Sequence, residues 1–168
     1  YNKFKEFYGL EPHFKVGEKY YHFAAARNHL LTYPKHDWVF QPDADEAVDW
    51  DLDKVLETLP KEDHIVYRFC FSHKPDGTCG LEFTHTKFFR KSKIQWGPLG
   101  WVHEVEQAIP GQIPKPPKYV DFIYHHHWQQ EKTERGNYLP ALELSVTIDT
   151  NNDRNLYYLA REWFWNQL

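Results

Sequence analysis

The sequence predicts an α/β domain with a mixed sheet flanked by helices, and three observations lead to that fold class. Residues 18–33, EKYYHFAAARNHLLTY, place apolar side chains at helical spacing and stop at Pro34, which predicts an amphipathic helix. Asp37–Gln41, DWVFQ, is a short apolar run of the kind buried in a parallel sheet. His64–Ser72 and Leu81–Arg90 are rich in β-branched and aromatic residues and flank the turn signal Lys74-Pro75-Asp76-Gly77. They read as a hairpin or as neighbouring antiparallel strands.

The other elements follow in chain order. Asp51–Leu59 reads as a short helix, with Asp51 near its start and Pro60 past its end. Gln95–Gly100 is a loop punctuated by Gly and Pro that delivers Trp101, Val102, His103 and Glu104 into a short strand. Residues 110–118 form an extended connector, and Tyr119–Trp128 is a strand carrying three consecutive histidines. Residues 132–147 and 153–166 both show helical spacing, separated by a turn at 149–152. The expected organisation is therefore a domain over 1–130 followed by a C-terminal helical hairpin over 131–168.

Composition narrows the function classes. The formal charge is −4, and Lys and Arg are scattered, so nothing marks a nucleic-acid partner. No apolar run approaches the roughly 18–20 residues that span a bilayer, and the first residues lack a signal-peptide pattern. Cys70 and Cys79 make neither a disulfide framework nor a CxxC metal site, so a cytoplasmic, reducing location is expected. Aromatic residues reach 18%, enough to line a site where a sugar or base stacks as well as to fill a core.

Asp43-Ala44-Asp45 is the centre of the functional reading. It sits just past the C-terminal end of a predicted strand, where ligands bind in open α/β sheets, and Glu46 adds a third acid. A hard divalent cation held by such carboxylates neutralises a diphosphate leaving group. Glu104, beside His103, is a candidate general base for an attacking hydroxyl. On the last strand, side-chain alternation puts His125 and His127 on one side and His126 on the other, so one pair can join two Asp around Mn²⁺ or Mg²⁺. Arg27 suits a diphosphate and Asn28 follows it on the helix, although solvation or an ion pair is the ordinary use of such an Arg.

Taken as an ordered series, ARN (26–28), DWVFQPDADE (37–46), FFR (88–90), a Trp-Gly loop leading to VHE (102–104), and YHHH (124–127) resemble glycosyltransferase family 2 over about residues 20–130. The resemblance implies a GT-A fold and a metal-dependent transfer of sugar from a nucleotide-diphosphate donor, with inversion, to a glycan, protein or lipid-linked acceptor. It implies Asp43 and Asp45 as metal and donor ligands, Glu104 as base, and His125 or His127 as a further ligand to metal or diphosphate. The tail at 152–164 resembles the helical extension of some members. Members begin with a strand–helix–strand unit that binds the base of the nucleotide. Nothing before Tyr20 reads as that unit and Met is absent, so the expectation is that it lies outside this sequence. A metal-dependent hydrolase and a non-catalytic carbohydrate- or protein-binding fragment remain open as alternatives.

Overall fold

The computed structural model describes residues 23–97, 103–127 and 138–166. The fold is mixed α/β, with seven strands and four helices among the described residues. The chain divides into two compact units. Unit 2 holds residues 34–95 and 106–127 of the described chain, and unit 1 holds 23–33, 96–97, 103–105 and 138–166.

Unit 2 is built on a five-stranded sheet. Its strands are β1 (Trp38–Phe40), β2 (Glu46–Trp50), β3 (His64–His73), β4 (Cys79–Arg90) and β7 (Lys118–His127), in the order β1-β4-β3-β7-β2. Only β3 and β7 run parallel. In β3 the alternation buries Ile65, Tyr67 and Phe69, while the exposed Arg68 reaches Glu82 on β4 at 2.7 Å. The β3–β4 turn closes with Gly77 at φ 82°, a conformation that suits a residue without Cβ. There Asp76 accepts from the backbone N and the hydroxyl of Thr78 at 2.9 and 2.7 Å. Helix α2 (Leu52–Thr58) is capped by the Asp51 side chain, which accepts from Lys54 N. It sends Val55 into a core shared with Ile65, Tyr67, Phe88, Val120 and Ile123. A separate ribbon pairs β5 (Ile94–Trp96) with β6 (Glu106–Ala108).

Unit 1 contains α1 (Phe23–Leu30), α3 (Tyr138–Ile148) and α4 (Asp153–Asn166). Ala141 and Leu142 of α3 pack on Leu159 of α4. Asn152 starts α4, its side-chain carbonyl accepting from Asn155 N at 3.1 Å. None of the helices among the described residues is long and apolar enough to cross a membrane.

Several sequence expectations need correction. The Asp37–Gln41 run is no buried parallel strand: Trp38–Phe40 sits at the sheet edge, pairs antiparallel with β4, and buries Val39 alone. Trp38 and Phe40 on the other face stay only partly buried, unlike the residues of a parallel strand covered on both faces. A strand that the sequence reading did not include, β2, directly follows the Asp triplet, and the helix expected over 51–59 comes after it at Leu52–Thr58. His103 and Glu104 lie outside any strand, because His103 has φ 58° and turns the backbone before β6 begins. Cys70 and Cys79 form a disulfide between β3 and β4, which removes the ground for a reducing location. The predicted elements over 18–22, 101–102, 128 and 132–137 lie outside the described residues.

Candidate functional site

The short chain between β1 and β2 carries the acidic triplet, and β2 pairs antiparallel with β7 so that Glu46 faces His127 and Val48 faces His125. This register brings the acids and the histidines together. His127 Nε2 stands 3.2 Å from Asp45 Oδ2, and its Nδ1 stands 3.2 Å from the Phe71 carbonyl. The carbonyl and the carboxylate both only accept, so a neutral ring, with one proton, satisfies only one of them. Both contacts are satisfied together when each nitrogen carries a proton, or when the proton stays on Nδ1 and a cation takes its place at Nε2.

His125 stands differently. It is fully buried, ringed by Phe40, Tyr67 and Phe69 at centroid distances of 5.6, 5.6 and 5.0 Å. Its Nε2 lies 3.2 Å from Glu46 Oε2 but without the alignment of a hydrogen bond, and Nδ1 has no hydrogen-bond partner among the described residues. His126 points to the other side, with Nε2 at 3.1 Å from Asp49 Oδ2.

Asp43 and Glu46 meet on Lys87. The Lys87 Nζ, almost completely buried, donates to Asp43 Oδ2 at 2.8 Å and to both Glu46 oxygens at 2.7 Å, while Asp43 N donates to Glu46 Oε2 at 2.6 Å. Burial alone would raise the Glu46 carboxyl, but the neighbouring His125 and Lys87 outweigh it and hold the group well below the usual carboxylate range. Burial and, after it, Lys87 lower His85 to about 4. The Tyr67 hydroxyl is pushed far up by burial, then by the Glu106 and Glu46 carboxylates.

The remaining predicted residues belong to unit 1. Arg27 Nε donates to Glu104 Oε1 at 2.5 Å, and the guanidinium lies 4.7 Å from the centroid of the buried Trp96 ring. Asn28 uses both ends of its amide on Trp96, donating to the carbonyl and accepting from the backbone N, each at 2.8 Å. His103, next to the candidate base, stacks on Tyr158 at 3.9 Å between centroids and lies 3.1 Å from an Arg161 nitrogen. Burial first, and then Arg161 and Arg154, lower His103 to about 4.

The structure thus joins Asp45 to His127, His125 to Glu46, Asp43 to Lys87, and Glu104 to Arg27. Sequence reading passed over Lys87. Its signal was present, since strand alternation puts it on the same face as Phe89, which is fully buried, and a buried Lys is almost always paired. Among the described residues, the group of three whose potential ligand atoms all lie within 4.8 Å of one another is Cys70, His73 and His126, not the Asp triplet. No protein-family model matches the chain, and no curated protein matches it.

Proposed function

We propose that this chain carries the cation- and acceptor-binding part of a GT-A-type glycosyltransferase. The reaction would move a sugar from a nucleotide-diphosphate donor to an acceptor hydroxyl with inversion. The observation behind this reading is the Asp45–His127 pair, with its nitrogen and oxygen 3.2 Å apart and the far ring nitrogen fixed on a carbonyl. Adjacent ligands of one octahedral cation stand about 3 Å apart, and a metal-binding His characteristically donates its other N–H to a carbonyl or carboxylate. The mixed oxygen and imidazole set suits Mn²⁺ better than Mg²⁺, which prefers oxygen.

When bound, the cation would neutralise charge on the diphosphate as the sugar–phosphate bond breaks. Lys87 holds Asp43 and Glu46, so in this reading Asp45 and His127 are the pair open to the cation, and His125 shapes the buried wall behind Glu46. Arg27 orients the Glu104 carboxylate, which is assigned the proton of the attacking hydroxyl, and Asn28 fixes the chain at Trp96.

Single-turnover transfer in the full-length protein, with a panel of nucleotide-diphosphate sugars and Mn²⁺, tests the reading. Glu104→Gln is expected to lower the transfer rate about 10²- to 10⁴-fold while donor binding is unchanged. A loss of less than about tenfold would contradict the base assignment. Release of free sugar without an acceptor would favour a hydrolase, and no turnover of any donor would favour a binding fragment.

A further inference from the structure

The opposite side of β7 carries a second set of ligands, independent of the glycosyltransferase reading. His126 pairs in register with Cys70 on β3, and His73, near the end of β3, pairs with Cys79 on β4. His73 Nε2 and His126 Nδ1 are 3.3 Å apart. One ring nitrogen of each histidine and Cys70 Sγ all lie within 4.8 Å of one another. Cys79 is bonded to Cys70.

We propose that Cys70, His73, His126 and Cys79 form a redox-gated site for a zinc-class divalent cation, closed as a disulfide and opened by reduction. Two imidazole nitrogens, each about 2.0–2.1 Å from a tetrahedral ion, lie about 3.3–3.4 Å apart, and the observed separation is 3.3 Å. Asp49 accepts from His126 Nε2 at 3.1 Å, which leaves Nδ1 of the neutral ring as the lone-pair nitrogen turned towards His73. A carboxylate behind a ligating imidazole is the usual support of such a metal ligand. Sulfur and imidazole together select zinc over the oxygen-preferring cations.

The redox step balances with a dithiol as reductant. It gives two electrons and two protons to the Cys70–Cys79 bond and leaves as a cyclic disulfide, and the two cysteines become thiols. Binding of the cation then releases the thiol protons to solvent, and the His73 proton moves from Nε2, where it is donated to His126 Nδ1, to the ring nitrogen facing away from the metal. Reoxidation by a disulfide, which takes two electrons from the thiolates and two protons from solvent and leaves as a dithiol, re-forms the Cys70–Cys79 bond and expels the ion.

The test uses Co²⁺ as a spectroscopic stand-in for zinc. The protein is reduced with dithiothreitol, desalted under argon and titrated with Co²⁺, beside the oxidised protein. The reduced form is expected to bind one ion with tetrahedral visible bands and a thiolate charge-transfer band, and the oxidised form to show neither. Cys70→Ser removes a buried group and the bridge, so His126→Ala, which leaves the disulfide intact, is read with far-UV circular dichroism as the folding control. It is expected to abolish the bands. Asp49 is exposed, and Asp49→Asn is expected to weaken binding about 10- to 100-fold. Reduced protein without a thiolate band, equal binding in both redox states, or a folded His126→Ala protein that binds as wild type would each overturn the proposal.

Discussion

On β7 the same residue occurs three times running, and the two sides of the strand give it opposite surroundings. On one side His125 and His127 are buried and approach the carboxylates of Glu46 and Asp45. On the other side His126 is partly exposed, stacks on His73 at 5.6 Å between centroids, and is in register with a sulfur on β3. Strand alternation makes the division, and the neighbouring strands decide what each imidazole can bind. A run of histidines is therefore not one site: oxygen neighbours suit a hard cation, and sulfur and nitrogen neighbours suit a softer one.

The side facing Asp45 rests on a buried ion pair, so the largest effect should come from breaking it. Lys87→Met leaves the Glu46 carboxylate buried without its ammonium, and unfolding by urea should show a loss of about 3–5 kcal/mol at neutral pH. The pH dependence has a definite sign. Glu46 has a lowered folded pKa, so the stability it contributes is complete above the ordinary Glu value of about 4.3 and is lost as pH falls further. The deficit of the variant should be full above that pH and shrink below it. A uniform deficit down to pH 3, about one unit below that value, would mean that Lys87 acts through packing.

Paired histidine variants sharpen the comparison. His127→Ala should weaken stabilisation by Mn²⁺ and leave the Co²⁺ bands of the reduced protein intact, and His126→Ala should do the reverse. If either variant impaired both responses equally, the two sides would not be separate sites.

A smaller effect is expected from His85, which burial and Lys87 keep neutral down to about pH 4. Its contribution to stability is complete above the unfolded value of about 6.5 and is lost as pH falls from there towards 4. His85→Gln should flatten that part of the stability curve, as followed by thermal unfolding. An unchanged slope between those pH values would contradict the assigned shift.

How much of this was legible in the sequence depended on whether local pattern or long-range pairing decided the outcome. The β3–β4 hairpin, α2 with its Asp51 cap and the alternation of the three histidines all follow from local periodicity and turn chemistry. β2 is hard to see because its two-residue period, Glu46, Val48 and Trp50, mixes a charged residue with apolar ones and runs straight into the helix start at Asp51. The Cys70–Cys79 bridge needs only two cysteines brought within reach near the end of one hairpin, where Cys79 is in register with His73 and not with Cys70, and a search for multi-cysteine frameworks does not detect it. Lys87 joins Asp43 and Glu46 across 44 and 41 residues of chain, and no local spacing encodes such a contact.

If Asp45 and His127 hold a divalent cation, as proposed, Mn²⁺ should raise the thermal stability of wild type and not of Asp45→Ala. Asp45 is a partly exposed turn residue, so the variant should fold. At Mn²⁺ about 100-fold above its dissociation constant, preferential binding to the native state is worth about 2.7 kcal/mol. Wild type should show the corresponding rise in Tm, and Asp45→Ala should show little or none. Equal Mn²⁺-induced shifts in the two proteins would contradict the account.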